Sequence, residues 1–231
     1  MSLAGINNDN EFYSDHYLSE VFVNDLADVL DGWQQAEDAA RAALPFGAEL
    51  PEHARTPWRR LSAMAAAYNQ ELSQVERERR AAPRVQGQRA LVRQLLTVLG
   101  HELAPCRLPC GEEAEVPVLC EVTGHDGHPL LWVVQAVPLD EQDADPLTVP
   151  LLEQQFLTLD ATPVARGLKA DGGNVLIDWQ SVLSRHIFAQ AHPPRWVLLT
   201  APRQWLLIDR SKFAQGRLLR FDWPEIFSRR E

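Results

Sequence analysis

The chain has 231 residues, room for one large domain or two small ones. Its formal net charge is −10, from 32 acids against 22 Lys and Arg, which disfavours non-specific nucleic-acid binding through phosphate contacts. No apolar run approaches the roughly 18 residues that span a bilayer, and the polar N-terminus carries no signal peptide pattern, so no membrane partner and a cytoplasmic location are expected.

In chain order, residues 1–11 read as a polar, flexible tail, with a turn at Asn7-Asn8-Asp9-Asn10. Ser14 or Asp15 can cap a helix. Tyr17, Leu18, Val21, Phe22, Leu26, Val29 and Leu30 then recur at three and four, which marks one apolar helix face. The helix is expected to pause near Gly32 and resume. Thr56-Pro57 starts a second helix, with Thr as cap and Pro at the first helical position. Pro83 is expected to end or kink it. A third helix is expected over 85–103. The first hundred residues show no strand pattern.

Pro105, Pro109 and Gly111 break the periodicity, and from there the pattern turns to mixed strand and helix. The segments 116–122 and 130–137 are nearly continuous apolar runs, the mark of strands buried on both faces. A turn at His125-Asp126-Gly127 joins them. Asp140 to Asp145 is an acidic loop, and Asp145-Pro146 can open a short helix. Residues 160–174 read as loop, and Asp178 opens a helix to about Gln190. A hairpin over 196–208, one more strand in GRLLRFDW and a helix opened by Pro224 complete the chain. The fold class is α+β: a helical arm over 12–104, then a mixed-sheet domain over 105–231.

Three cysteines, Cys106, Cys110 and Cys120, are too few and odd in number for a disulfide framework, and fit a reducing compartment. With His101 they are the zinc-ligand candidates, but structural zinc usually takes two tight ligand pairs. Ordinary semi-buried thiols are the expectation, and no metal site is assigned to them.

A strand pair, a helix and further strands form the core of nucleases of the PD-(D/E)xK type, among other α/β domains. Their sites put one acid on or before the second strand of a hairpin and E-x-K on that strand. The carboxylates hold Mg²⁺, which polarises phosphate and activates water, and the Lys adds positive charge. Here Asp126 lies in the turn, Glu121 lies on the preceding strand, and Gln135-Ala136-Val137 stands in the place of E-x-K. Gln135 lacks the charge of a carboxylate and Val137 lacks that of Lys. A degenerate site is therefore expected, with Mg²⁺ bound only if cleavage survives.

The candidates for nucleic-acid contact are Arg84 and Arg89 in the basic helical stretch, and Arg203, Arg210 and Lys212 around the last hairpin. A solvated helix face is the plainer reading of the first set. No Walker A and no G-x-G-x-x-G occurs.

Two stretches, NEFYSDHYLSEVFVNDLADVL and WVLLTAPRQWLLIDRSKFAQGRLLRFDWPEIFSRRE, resemble the N-terminal region of large bacterial adenine-specific DNA methyltransferases of the type IIG restriction–modification kind. The resemblance implies a nuclease-like region ahead of a helical connector and a methyltransferase domain. It implies double-stranded DNA as substrate of the whole enzyme, and the methyltransferase domain of the same chain as partner. The methyltransferase signature, Asn/Asp-Pro-Pro-Tyr/Phe, does not occur in this sequence, and Pro193-Pro194 lies between His192 and Arg195. The resemblance thus places S-adenosylmethionine and its chemistry beyond Glu231. It implies an accessory module that positions DNA or packs on the methyltransferase domain. The alternatives are an active Mg²⁺-dependent endonuclease and a structural interaction domain with no DNA contact.

Overall fold

The computed structural model describes residues 4–110, 114–140, 143–160, 168–169 and 176–228. Its elements are β1 (Ile6–Asp9), α1 (Phe22–Ala42), α2 (Pro57–Arg77), α3 (Ala81–Val98), β2 (Cys106–Pro109), β3 (Glu115–Thr123), β4 (Pro129–Gln135), α4 (Glu153–Leu157), α5 (Trp179–Val182), β5 (Trp196–Thr200), β6 (Gln204–Asp209), α6 (Arg210–Phe213), β7 (Leu218–Asp222) and α7 (Trp223–Ser228). The expected mixed α and β character holds.

The strands form one seven-stranded sheet in the order β1-β7-β6-β5-β4-β3-β2. β4 and β5 are parallel, and every other neighbouring pair is antiparallel. A parallel pair needs a long crossover, and residues 136–195, which carry α4 and α5, supply it.

Successive residues of the central strands serve opposite faces. Trp132, Val134, Val197 and Leu199 join Phe156, Trp179, Val182 and Leu183 of the crossover in one core. Val133, Leu198 and Trp205 join Tyr68, Leu72, Leu91 and Leu95 of α2 and α3 in the other. The sheet is therefore a middle layer between two helical layers, which is why β3 and β4 read as unbroken apolar runs.

Several expectations are corrected. Ile6–Asp9 is an edge strand paired with β7, Ile6 opposite Phe221 and Asp9 opposite Leu218. The pairing uses backbone groups, so its Asn-Asn-Asp side chains leave no apolar period to read. Cys106–Pro109 is likewise an edge strand, paired with β3. Prolines are tolerated at the edge and end of a sheet. Pro83 sits in the first turn of α3 instead of ending α2, which already stops at Arg77. A proline there removes no hydrogen bond the helix would make. α1 runs through Gly32 without a pause. The helix opened by Asp145 is broken into a 3₁₀ turn, Pro146–Thr148, and α4. Most of the loop expected over 160–174 lies outside the described residues.

α1 stands apart from both cores. Its one buried residue is Glu37. The Glu37 carboxylate accepts from Arg41 at 2.8 Å, from the Thr56 backbone N–H at 2.8 Å, and from Arg59. That clamp joins the end of α1 to the start of α2. Thr56 caps α2 only through its backbone position, since its hydroxyl makes no capping bond.

Gly5 takes a left-handed φ of +72°, and a Cβ there would lie 2.6 Å from Ile226 Cγ1. Gly5→Ala is expected to lower stability by about 1–3 kcal/mol, read as a lower urea midpoint. Leu95 is fully buried between α3 and the sheet. Leu95→Ala is expected to cost about 2–5 kcal/mol in the same measurement.

The Thr56 N–H, followed by the arginines, holds the Glu37 carboxyl below the usual 4.5. A lowered folded-state value stabilises the clamp at neutral pH. That contribution is lost as pH falls from 4.5 through the lowered value. Trp33 and Trp58 lie beside the clamp, ring centroids 6.2 Å apart. Their emission is expected to change in that acid window, and Glu37→Gln is expected to flatten the change.

Candidate functional site at the carboxyl end of the parallel strands

In open α/β sheets, ligands bind beyond the carboxyl ends of parallel strands. Here those ends are Gln135 of β4 and Thr200 of β5. α3 crosses them and fills the space with polar side chains.

Gln135 is 1% exposed. Its Oε1 accepts from Arg89 Nε at 3.2 Å, and its Nε2 donates to the Val85 carbonyl at 3.1 Å. Its own carbonyl accepts from Gln155 Nε2 at 2.5 Å. Arg89, 4% exposed, also donates to Thr158 Oγ1 at 2.7 Å and to the Gln155 carbonyl at 2.8 Å. Gln88 Nε2 bridges the carbonyls of Ala136, at 2.8 Å, and Thr200, at 3.2 Å. Arg84 donates to the carbonyls of Pro138, at 3.0 Å, and Val75. Chain leaving β4 beyond the ladder thus finds its carbonyls met by α3 side chains, as buried backbone groups must be.

Two buried guanidinium groups lie at this junction, with Glu76 acting on Arg84 through charge alone. The hydrogen-bond partners of Arg84 and Arg89 are neutral oxygens. Burial lowers both guanidinium pKa values, that of Arg89 to about 10. A Mg²⁺ ion needs several oxygen ligands, with carboxylates among them. The residues at this junction do not fit it: Gln135 supplies one neutral oxygen, already turned to Arg89, and Ala136 and Val137 are buried and apolar. No step through a metal is drawn for this place.

The three expected nuclease positions do not meet. Asp126 is exposed in the turn, where it accepts from the His128 backbone N–H at 3.0 Å. Gln135 ends the strand that leaves this turn, roughly 20 Å away at the usual rise per strand residue. Glu121 is paired across the hairpin with Trp132 and accepts from its indole N–H at 2.9 Å. It satisfies a buried tryptophan and faces neither of the other two. Among the described residues no group of three His, Cys, Asp or Glu is placed to hold a metal. Burial raises the pKa values of Cys106, Cys110 and Cys120, that of Cys110 to about 12, so none is a ready thiolate.

The expected basic contacts are also redistributed. Arg84 and Arg89 are internal: each nitrogen of the Arg89 guanidinium bonds a protein oxygen, and Arg84 bonds two carbonyls while its Nε is buried without an acceptor among the described residues, so neither faces a phosphate. Arg203 is held by Glu76 in a two-pronged pair at 2.6 and 3.0 Å. Lys212 donates to the Phe12 carbonyl at 2.6 Å and lies over the Phe12 ring. Arg210 is exposed and, among the described residues, makes no side-chain hydrogen bond or ion pair. It borders a cleft of about 700 Å³ with Asp9, Asp145, Phe188, Phe213 and Arg220.

Gln88, Gln155 and Thr200 went unnoticed in the sequence. The one signal for them is polar residues inside otherwise apolar helix and strand segments.

Comparison with protein-family models, with curated proteins and with solved structures gave no match.

Arg89→Met would leave the Gln135 amide oxygen without its donor and remove the Arg89 bonds to Thr158 and the Gln155 carbonyl. It is expected to cost about 3 kcal/mol or more, measured by urea unfolding. Gln135→Glu would gain a charge partner in Arg89 but set an anion against the Val85 carbonyl. A lower midpoint than wild type is expected there as well.

Proposed function

We propose that the chain is a nuclease-like module that does not cleave, and that it serves a restriction–modification methyltransferase by packing on other protein rather than by gripping DNA. The observation that carries this reading is Gln135. At the strand end where the nuclease pattern calls for a charged acid, an amide is locked on both sides by Arg89 and Val85. The order of elements supports the nuclease likeness: α3, an antiparallel hairpin, a helical crossover, then a strand parallel to β4. S-adenosylmethionine would bind outside these residues.

The choice of packing over DNA contact rests on charge. Of the five basic candidates, Arg84 and Arg89 are internal, and Arg203 and Lys212 are engaged by the protein. The remaining exposed guanidinium, Arg210, stands against a net charge of −10. Phosphate contacts dominate DNA affinity and make it salt-dependent, and the five candidates offer one free guanidinium for them.

Titration with Mg²⁺ or Mn²⁺ alongside a plasmid-cleavage assay tests the first half. No saturable binding and no cleavage are expected, with Asp126→Ala behaving as wild type. Cleavage lost in Asp126→Ala would overturn the reading. A salt series of duplex binding tests the second half. Weak affinity with a shallow salt slope is expected, and a steep slope would restore a DNA-positioning role.

A further inference from the structure

The end of α1, the connector after it and the first turn of α2 wall a cleft of about 480 Å³, outside both cores. Three guanidinium groups line it: Arg41 from α1, Arg55 from the connector and Arg59 from α2. They form a local surplus of positive charge on a chain whose net charge is −10. Two acids share the cleft, Glu37 and Glu49. Glu37 is fully committed: its Oε1 accepts from both Arg41 and Arg59, and its Oε2 accepts from the Thr56 N–H. The Glu37 side chain is wholly buried, whereas those of Arg41 and Arg59 are 59% and 45% exposed. A guanidinium has five N–H donors, and Glu37 takes a single nitrogen of each. Arg55 makes no side-chain hydrogen bond or ion pair among the described residues. Glu49, exposed in the same cleft, pairs with none of the three.

The charge left over identifies the ligand's chemistry. Glu37 cancels one of the three guanidinium charges, which leaves two, and Glu49 offsets part of that surplus without contact. The matching ligand carries about two negative charges and several acceptor oxygens on one small head. A phosphate monoester does both, with a charge of about −1.5 to −2 at neutral pH and three strongly accepting oxygens. Arginine forks bind such a group through paired hydrogen bonds. A carboxylate brings one charge and fills one fork. A phosphodiester, as in DNA, brings one charge per phosphate and leaves a guanidinium unmet. The cleft also has the size of a small-molecule site, roughly 300–1,000 Å³, and Ala48 and Leu50 add apolar wall beside the charges. We infer that the cleft lined by Arg41, Arg55 and Arg59 binds a phosphate group, carried as the terminal phosphate of a small molecule or present as the free ion. This goes beyond the packing reading above and does not rest on it.

Titration calorimetry on the whole chain tests this with three probes: inorganic phosphate, adenosine monophosphate and its cyclic diester. Phosphate is expected to bind one to one with a Kd of about 1 mM or tighter, and the cyclic diester about tenfold more weakly than the monophosphate. A monophosphate that outbinds phosphate marks a carrier molecule as the source of the group, and phosphate binding at least as tightly marks the free ion. Arg55→Gln is expected to weaken phosphate binding by about tenfold, the loss of a charged hydrogen-bonding group. Its urea midpoint without ligand is expected to match wild type, because Arg55 has no side-chain partner among the described residues. Arg55→Lys is expected to recover part of the affinity, since the charge returns without the fork. Glu49→Gln is expected to tighten binding several-fold, which a purely structural Glu37 clamp with solvated arginines around it does not predict. No saturation by phosphate at about 10 mM, unchanged binding in Arg55→Gln, or a cyclic diester bound as tightly as the monophosphate overturns the inference. Mg²⁺ binding, cleavage and duplex affinity bear on the packing reading alone, so the two stand or fall separately.

Discussion

Gln88 reaches from the middle of α3 and gives both amide hydrogens to carbonyls at the ends of two different strands, Ala136 past β4 and Thr200 of β5. Parallel strands have no turn to align them, so something else must hold their ends in step. In this molecule the side chains of one helix do so. Arg84 takes the next exposed carbonyl at Pro138, and Arg89 ties the same helix to Gln135 and to the α4 layer on the other side of the sheet. The three residues lie within five positions of one another, so one short stretch of α3 reaches both layers. Without them, the Ala136 and Pro138 carbonyls and the Gln135 amide oxygen would lose their donors, each loss costing about 1–3 kcal/mol.

The same junction accounts for the chemical character of the chain. A place where strand ends open toward a crevice normally admits water and ligand. Here α3 closes it with side chains that meet the carbonyls of the strand ends, and two positive charges are retained with no acid hydrogen-bonded to either. Such a centre specifies register and rigidity. It lacks the anionic oxygens to draw in a divalent ion.

Much of the architecture was legible in the residues. The strands β3, β4, β5 and β6 are dense in Val, Leu and Trp because both their faces are covered, and the turn residues between them are plain. The helices α1 to α3 show their periods. What was hidden shares one cause. β1 and β2 are edge strands held by backbone bonds, so their side chains carry no alternation. Pro83 was read as a stop because the same residue type can open a helix or end one, and sequence spacing alone does not say which. The site was less legible than the fold. Glu121, Asp126 and Gln135 lie within fifteen residues of one another, yet a hairpin sends its turn and its far end in opposite directions. Arg84 and Arg89 looked like surface charge, because a buried guanidinium needs a set of carbonyls drawn from distant parts of the chain.

The pairing of β1 with β7 has a consequence for how the chain is made. Asp9 and Arg220, which join across this edge, are 211 positions apart. At about 5–20 residues per second, a ribosome that has made β1 needs about 10–40 s to deliver its partner. Throughout that interval the strand is present with its backbone unpaired. A hydrophobic segment in that position would be a template for association with neighbouring nascent chains. Ile-Asn-Asn-Asp is a poor template, having one apolar side chain in four. The polarity that concealed this strand from sequence patterning is thus the property that lets it wait safely for the far end of the protein.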